Sequence, residues 1–444
     1  MNVAFLLNSK AVRVELSDPH TTTLNWLREK GHVGSKEGCG EGDCGACTAV
    51  MGELVDGEVV LSPINTCIQL LSRLNGRALI TIEGVQDTPL QAALVDEHAS
   101  QCGYCTPGFV MSMYYGINAA PPKNREEACD LIAGNLCRCT GYQGLLRVAM
   151  GLQDMKPDYL APMQHALKAL RAPVLKWQPH HLREALELRS RYPHAQIVAG
   201  NTDVGLWITK RQERFDQVLM LHEIAELHQI HRQPDSIQLG AMVSYAAALP
   251  ALIDEWPQSA RYLKRIGSTQ VRAAGTIGGN IANGSPIGDM PPMLIALEAQ
   301  VVLASVRGQR SLPLEQFFLE YGVQDLAVDE LLTRLDVPVG DRVLHCAKLS
   351  KRADQDISAV SLGLSGRVVD GCLHDPIVAM GGMAGVPKRA SHLEAAIHGQ
   401  PIEQIDFEAL GQDFQPMSDA RASAEYRLKA AQGMVKRGLM ELLV

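Results

Sequence analysis

Residues 1–85 alternate between apolar and polar positions in short runs, a pattern typical of half-buried strands. The predicted strands cover residues 3–7, 12–16, 54–55, 59–60 and 78–85. The first two runs flank residues 8–10 and predict a hairpin. Asp56-Gly57, between the third and fourth runs, is a dipeptide preferred in two-residue hairpin loops. With helical spacing over residues 22–29, this part of the chain is predicted to be a small α+β domain.

Helical spacing and punctuation replace this alternation in residues 86–152. Thr106 stands before Pro107, which predicts a capping residue followed by a helix that begins at the proline. Asn124 is predicted to cap a second helix, and residues 145–152 have the spacing of a further one. These helices predict a separate helical domain.

A linker and a longer α+β region are predicted in the rest of the chain. Three prolines mark residues 153–174 as a linker with a helix in its middle. Beyond it, strands and helices alternate with glycine-rich turns. The strand-like residues 335–337 are followed by Pro-Val-Gly, which predicts a boundary between domains at 175–338 and 339–444.

Composition and charge exclude several classes of function. The formal net charge is −8 and the basic pairs are scattered, so neither nucleic acid nor a membrane is expected as a partner. The first residues lack the basic start and long apolar stretch of a signal peptide, and no apolar run approaches the ~18 residues of a membrane-spanning helix. A reducing cytoplasm is the predicted location, where clustered cysteines are more often metal ligands than disulfides.

Cysteine is the residue whose count and placement point to chemistry, with 11 in the chain. Cys39, Cys44 and Cys47 have the spacing C-x4-C-x2-C, and Cys67 follows after a hairpin's length of chain. This is the plant-type spacing for a 2Fe-2S cluster. The intervening glycines allow a tight loop to aim its N–H groups at the sulfurs, whereas a zinc site, the alternative, has no need of them.

A second set of four cysteines lies in the predicted helical domain. Cys102 and Cys105 form a C-x2-C pair at the N-terminus of a predicted helix, where the helix dipole favours thiolate. Cys137 and Cys139 form a C-x-C pair. Spacing alone leaves a second cluster and a zinc site both open, with the cluster favoured. The remaining cysteines are predicted to be small buried side chains: Cys129, Cys346 and Cys372.

The sequences around both sets resemble the cluster motifs of the molybdenum hydroxylases. These are EGCGEGDCGACT at residues 37–48, QCGYCTPG at residues 101–108 and GNLCRCTGY at residues 134–142. Asp43 stands where many relatives have glycine. The resemblance implies an α+β multidomain protein with four domains. They are a β-grasp ferredoxin-like domain (1–85), a four-helix cluster domain (86–152), an α+β FAD-binding domain of the vanillyl-alcohol-oxidase type (175–338) and an α+β C-terminal flavin-associated domain (339–444).

Two glycine-rich turns are able to present backbone N–H groups to a phosphate. They are IVAGNTDVG at residues 197–205 and GTIGGNIANGSPIGD at residues 275–289. The first lacks G-x-G-x-x-G, so a Rossmann dinucleotide site is not supported. From the residues alone, these glycines serve turn geometry and a phosphate site about equally well.

The resemblance implies that both turns line FAD, with Asp289 near the ribose or phosphates and Lys348 at the flavin edge. Without it, Lys348 is predicted to be a surface ammonium. Ile266 stands where relatives usually carry an aromatic residue near the flavin. The FAD residues implied are Val198, Ala199, Gly200, Asn201, Thr202, Asp203, Val204, Ile266, Thr276, Gly279, Asn280, Ser285, Asp289 and Lys348.

By the same resemblance, the function is electron transfer. Electrons are expected to come from a molybdenum cofactor on a separate large subunit, pass through the helical-domain cluster and the N-terminal cluster to FAD, and reduce NAD+. No residue of this chain is predicted to hydroxylate the organic substrate, and a dimer of heterodimers is expected. The nearest alternative is a family member acting on aldehydes or heteroaromatic compounds. The alternative of another class is a zinc-stabilised interaction protein.

Overall fold

The computed structural model describes residues 1–86, 88–158 and 160–443, which fall into two compact units. The first unit comprises Met1–Gln178, Asn201–Asp216 and Gly267–Gly275. The second unit comprises Pro179–Gly200, Gln217–Ile266 and the chain from Thr276 onward. The domain boundaries predicted from the sequence stay predictions.

The described part of the first 178 residues contains five strands and six α-helices. The strands are β1 (Asn2–Leu7), β2 (Lys10–Glu15), β3 (Thr48–Val55), β4 (Glu58–Asn65) and β5 (Ala78–Ile80). The helices are α1 (Thr23–Glu29), α2 (Pro89–Asp96), α3 (Thr106–Ala119), α4 (Arg125–Ile132), α5 (Gln143–Met150) and α6 (Ala161–Ala169).

The strands of the first unit form one mixed sheet in the order β2-β1-β5-β3-β4. β1 and β5 run parallel, and every other neighbouring pair is antiparallel. Both predicted hairpins are confirmed, with turns at residues 8–9 and 56–57. α1 packs on this sheet through Phe5 and Trp26, whose rings lie 5.4 Å apart between centroids. One helix on a mixed sheet of this order is the predicted ferredoxin-like domain.

The predicted strand over residues 78–85 is wrong beyond Ile80. The chain turns instead into a 3-10 helix at Ile82–Gly84. The cause is the side chain of Asn8, whose Oδ1 accepts the N–H of Thr81 at 2.9 Å and whose Nδ2 donates to the Thr81 hydroxyl at 3.0 Å. These bonds end strand pairing at Thr81.

Helices α2 to α5 are the four helices of the predicted helical domain, and their buried side chains share one apolar core. Asn124 caps α4 as predicted, because its Oδ1 accepts a first-turn N–H at 2.9 Å. The predicted start of α3 at Pro107 is wrong. The helix begins at Thr106 with Cys105 in the cap position, and the Thr106 hydroxyl pairs with that of Ser100 at 2.8 Å instead of capping.

The helix predicted within residues 153–174 is α6. Its Met163 and Leu167 are buried in the core that also contains Val50 and Leu61 of the sheet. Gln164 donates its side-chain amide to a carbonyl of the β3–β4 turn at 2.6 Å. This segment therefore packs on the sheet of the first unit.

Beyond residue 178, the described chain contains thirteen strands and eleven α-helices. The strands are β6 (Gln196–Val198), β7 (Val218–Met220), β8 (Ile230–Arg232), β9 (Ser236–Gly240), β10 (Gln300–Ser305), β11 (Gly308–Pro313), β12 (Phe318–Glu320), β13 (Val323–Gln324), β14 (Leu331–Pro338), β15 (Val343–Leu349), β16 (Val360–Val369), β17 (Cys372–Gly381) and β18 (Lys388–Arg389). The helices are α7 (Leu182–Arg191), α8 (Asp203–Thr209), α9 (Tyr245–Glu255), α10 (Ala260–Leu263), α11 (Thr269–Ala274), α12 (Ile277–Asn283), α13 (Met290–Ala296), α14 (Leu314–Phe317), α15 (Ser391–Ile397), α16 (Leu410–Asp413) and α17 (Ala424–Leu442). None of the described helices is long and apolar enough to cross a bilayer.

Two antiparallel sheets organise the second unit, in the orders β11-β10-β14-β9-β8 and β15-β16-β17-β18. The strand predicted at residues 335–337 lies in β14, which ends at Pro338 as expected. α13 approaches the second sheet closely at Gly363, where a Cβ atom would lie 2.2 Å from the carbonyl oxygen of Pro292. Of the remaining helices, α8 and α11 belong to the first unit.

Candidate functional site

The β3–β4 hairpin brings the ends of the first cysteine set together. Cys39, Cys44 and Cys47 lie in the irregular chain between α1 and β3, and Cys67 follows β4. Pairing of the two strands begins at Thr48 and Asn65, so the residues just outside it are neighbours. The loop itself is tightly folded, because a Cβ atom at Gly38 would lie 2.6 Å from the Cys44 sulfur.

Backbone N–H groups of this loop point at the cysteine sulfurs. Five of them donate to sulfur at 3.3–3.4 Å: Cys39 to Cys44 Sγ, Glu41, Asp43 and Cys44 to Cys39 Sγ, and Gly42 to Cys67 Sγ. Such bonds stabilise negative charge on thiolates and on a cluster that they bind. The loop geometry inferred from its glycines is therefore present.

The cysteine side chains of this set shift one another's pKa values. The thiols of Cys44 and Cys67 donate to Cys39 and lower its pKa, and Cys67 also lowers the pKa of the buried Cys47. The pKa values of Cys44 and Cys67 are raised in return by the same bonds. If this set binds iron, its thiol protons are released, because cysteine binds metals as thiolate.

The second cysteine set is brought together at the start of α3 and the loop after α4. The sulfurs of Cys102 and Cys139 lie 3.5 Å apart. The sulfur of Cys137 accepts the N–H and the hydroxyl of Thr140 at 3.4 and 3.1 Å. Burial raises the pKa of Cys105 to about 12. Across the described residues, no three or more His, Cys, Asp or Glu side chains surround a position for a single metal ion.

The two cysteine loops touch each other directly. The carbonyl of Cys44 accepts the N–H of Leu136, the residue before Cys137, at 3.0 Å. Gly45 has a left-handed φ of +68°, and a Cβ atom there would lie 2.1 Å from the carbonyl oxygen of Gly134. Only glycine permits both this backbone angle and this approach.

A buried polar network, formed by Thr48, Ser112, Asn135 and Gln270, fixes this contact. Asn135 donates to the carbonyl of Gly45 at 3.0 Å and accepts the hydroxyl of Ser112 at 2.6 Å. Gln270 of α11 donates to Thr48 and to Ser112, both at 3.1 Å. Neither Asn135 nor Gln270 was predicted from the sequence to be a functional residue, although Asn135 lies within the motif GNLCRCTGY.

We expect Gln270→Ala to lower the free energy of unfolding by about 1–3 kcal/mol, because it deprives buried hydroxyls of a hydrogen bond. Gln270 is 1% exposed, so water does not replace the lost amide in the intact fold. Urea denaturation measures the change. Gln229→Ala is the matched control, because this exposed glutamine bonds only one carbonyl, at 3.2 Å, among the contacts described. Equal effects of the two substitutions would contradict the stabilising role of the network.

The first predicted flavin turn follows β6. Val198, Ala199 and Gly200 belong to the second unit, and the carbonyl of Val198 accepts the N–H of Leu221 at 3.0 Å. Residues 201–204 belong to the first unit. There Asn201 has a left-handed φ of +57°, donates to the carbonyl of Ile68, and has a buried Oδ1 without a partner. The turn thus connects β6 to α8, which begins at Asp203.

The second predicted flavin turn is built around α12. Thr276 caps this helix, accepting the N–H of Gly279 at 3.0 Å, and a Cβ atom at Gly279 would lie 2.7 Å from the Thr276 hydroxyl oxygen. The side-chain Oδ1 of Asn280 is buried without a partner. Ser285 accepts the N–H of Ile287 at 3.4 Å. The unpaired Asn280 oxygen can accept a hydrogen bond from a ligand, and the neighbouring Gly279 has no side chain to obstruct it. Both features fit FAD, which has hydrogen-bond donors.

Asp289 and Lys348 form a buried ion pair in the second unit. Lys348 Nζ lies 2.7 Å from Asp289 Oδ2 and 3.1 Å from the carbonyl of Arg265, and only 2% of the lysine side chain is exposed. Ser358 donates to Asp289 Oδ1 at 2.5 Å. The alternative of a surface ammonium is therefore wrong, whereas the placement of Lys348 at the flavin edge stays a prediction. Ile266 is also buried, in the apolar core of this unit.

Four family models match successive parts of the chain. Residues 5–69 match the 2Fe-2S iron–sulfur cluster binding domain, and residues 81–150 match the 2Fe-2S binding domain. Residues 172–340 match the FAD binding domain in molybdopterin dehydrogenase, and residues 345–442 match the CO dehydrogenase flavoprotein C-terminal domain. The chain is an iron–sulfur flavoprotein, and the predicted ferredoxin-like, FAD-binding and C-terminal flavin-associated domains are confirmed.

Similar curated proteins identify the family. Xanthine dehydrogenase of Oryza sativa subsp. japonica is 29% identical, over 94% of this chain and 37% of its own length. Xanthine dehydrogenase 2 of Arabidopsis thaliana is 30% identical, over 86% of this chain and 35% of its own length. This chain therefore spans just over a third of the length of these relatives. Taken with its four domain matches, the chain belongs to the molybdenum hydroxylase family.

Solved structures of the same family resemble a smaller part of the chain. Carbon monoxide dehydrogenase from Hydrogenophaga pseudoflava, in a form that lacks the Mo-pyranopterin moiety of the molybdenum cofactor, is 27% identical with a TM-score of 0.56. The match covers 61% of this chain and 98% of that one. Quinoline 2-oxidoreductase from Pseudomonas putida 86 has the same TM-score at 22% identity, over 62% and 98% of the two chains, and so shares the fold.

Proposed function

We propose that this chain is the iron–sulfur and FAD subunit of a xanthine dehydrogenase that uses NAD+ and acts in purine catabolism. Oxidation of hypoxanthine and xanthine to urate takes place on a separate large subunit that holds the molybdenum cofactor, and this chain carries the electrons to NAD+. The observation that supports electron transfer most strongly is the contact of the two cysteine loops, in which the Cys44 carbonyl accepts the N–H of Leu136.

Eight cysteines are proposed as cluster ligands and two turns as the flavin site. The ligands are Cys39, Cys44, Cys47 and Cys67 for one cluster and Cys102, Cys105, Cys137 and Cys139 for the other. When bound, each cluster carries one electron and FAD links one-electron transfer to hydride transfer. FAD is proposed to be bound by the residues that the family resemblance implies, and in the second unit the unpaired Asn280 oxygen supports this. The ion pair of Asp289 and Lys348 supports the second turn.

The protein groups around the sulfurs have a defined part in this function. The N–H groups that donate to Cys39 and Cys67 compensate the charge that an extra electron adds. Thr140 does the same at Cys137 with two donors. The network of Asn135 and Gln270 holds the two loops at a fixed separation, which electron transfer between them requires.

A xanthine dehydrogenase is favoured over other family members by the extent of the match. The xanthine dehydrogenases of rice and of Emericella nidulans match 94% and 99% of this chain, with the cluster and flavin regions together. The CO dehydrogenase structure matches only 61% of it while using 98% of its own length. The second candidate is another molybdenum hydroxylase, an aldehyde or heteroaromatic dehydrogenase, since a chain of quinoline 2-oxidoreductase shares the fold over 62% of this chain. We further propose that two copies of this chain assemble with two large subunits. The assembly is proposed to lie in the cytoplasm.

The test is anaerobic reduction of the native complex, purified through this chain. We expect xanthine to produce two reduced 2Fe-2S signals in the electron paramagnetic resonance (EPR) spectrum and to convert NAD+ to NADH. Reduction by NADH but not by xanthine would point to another molybdenum hydroxylase. A chain that retains FAD but never reacts with NADH would refute the proposed acceptor. A colourless protein that contains zinc would refute electron transfer altogether.

A further inference from the structure

Lys210 reaches the first cysteine loop from the segment that follows the first flavin turn. It stands directly after α8, and both its segment and the loop belong to the first unit. Its Nζ donates to the carbonyl oxygen of Cys39 at 2.5 Å and lies 3.6 Å from a carboxylate oxygen of Glu41. A Cβ atom at Gly40 would also lie 3.8 Å from this ammonium. The cation is therefore held against the backbone of a proposed ligand.

We propose that Lys210 raises the reduction potential of the cluster held by Cys39, Cys44, Cys47 and Cys67. This inference rests on the proposed assignment of Cys39 as a ligand. Reduction adds one negative charge to the cluster, and a nearby ammonium stabilises the reduced form more than the oxidised form. Its hydrogen bond to the Cys39 carbonyl keeps this charge close to the sulfur of the same residue.

Two features set the size of the effect. The side chains of Lys210 and Glu41 are each 45% exposed, so solvent and salt screen both charges. The Glu41 carboxylate has the opposite effect on the potential to Lys210, because its negative charge destabilises an added electron. The backbone N–H of Glu41 donates to Cys39 Sγ, which places the residue beside the cluster ligand. Removal of the lysine and removal of the carboxylate are therefore expected to shift the potential in opposite directions.

The neighbouring Arg211 offers a matched control. It carries the same charge one residue further along, but its guanidinium lies 5.8 Å from the Trp207 ring and 3.6 Å from Glu213. It is thus engaged by its own segment, and among its described contacts none is to the cysteine loop. A general effect of surface charge would appear in both variants, whereas the proposed effect belongs to Lys210 alone.

The experiment is a redox titration of the full complex, followed by EPR at low and high salt. We expect Lys210→Gln to lower the midpoint potential of one cluster, changing its oxidised-to-reduced ratio about three- to tenfold, where tenfold is ~59 mV for one electron. The other cluster stays unchanged. We expect Lys210→Arg to keep most of the potential, Glu41→Gln to raise it, and salt to diminish both shifts.

Unchanged midpoints in Lys210→Gln, with both signals intact, would overturn the inference. So would an equal shift in Arg211→Gln, or a shift that 1 M salt leaves the same. If Lys210→Gln fails to assemble the cluster, Glu41→Gln decides, and a potential that does not rise overturns the inference. Failure of the proposed function looks different, because the unaltered complex would then lack one or both cluster signals.

Discussion

Cys44→Ser is expected to abolish one of the two reduced 2Fe-2S signals in the EPR spectrum, to halve the iron content, and to leave the other signal in place. Serine keeps the backbone of the loop but replaces a soft thiolate by a hydroxyl that iron in such clusters binds poorly. The carbonyl of residue 44 remains available to the N–H of Leu136, so the contact between the two loops persists. Replacement of one sulfur atom by oxygen is thus expected to remove a complete EPR signal.

Cys105→Ser is the matched control for that experiment. This cysteine of the second set occupies the N-cap position of α3, and its loss should remove the signal that Cys44→Ser spares. Each variant should then contain half of the iron, and the EPR signal that one variant retains should be the signal that the other has lost. If either variant loses both signals, or neither, the assignment of the eight cysteines to two separate clusters is wrong.

Lys348→Met is expected to lower the free energy of unfolding by about 3–5 kcal/mol, because it leaves the carboxylate of Asp289 buried without its cation. The exposed fractions of the two side chains are 2% and 11%, so water compensates little of the loss. Denaturation in urea measures the stability. Since Asp289 stands directly before α13 and next to the second flavin turn, the fraction of chains that retain FAD should fall as well.

Two further variants separate a lost ion pair from a lost side chain. Lys348→Met combined with Asp289→Asn removes both charges and should recover part of the stability. Arg183→Met breaks an exposed pair with Glu187 in the same unit, where we expect less than about 0.5 kcal/mol. A loss in Lys348→Met no larger than in Arg183→Met would contradict the buried pair.

Local sequence signals predicted the elements that local interactions determine. The hairpin at Asp56-Gly57 and the cap at Asn124 depend on neighbours within a few residues, and both are present. The strand over residues 78–85 was extended too far because Asn8, more than 70 residues earlier, fixes Thr81. Thr106 is a residue type that often caps helices, but its hydroxyl pairs with that of Ser100 instead. The spacing of apolar residues carries no information about this bond.

The same distinction holds for the candidate site. Cysteine spacing is a local pattern with a strong chemical meaning, and it was sufficient to propose both sets of ligands. Gln270 lies 222 residues from Thr48 in sequence, and Lys348 lies 59 residues from Asp289. Their partners are defined only by the fold, so neither the network nor the buried ion pair was visible in hydropathy or spacing.

The register of the β3–β4 hairpin makes its two ends unequal in how they tolerate insertions and deletions. Eight residue pairs follow the turn at Asp56-Gly57, and the pairing of Thr48 with Asn65 is the last of them. Residues added at the turn leave that last pair in place. One residue deleted within either strand instead shifts Cys67 past Cys47 and turns the buried face of that strand outward. Length variation among homologous chains should therefore collect at the turn and be absent from the strands.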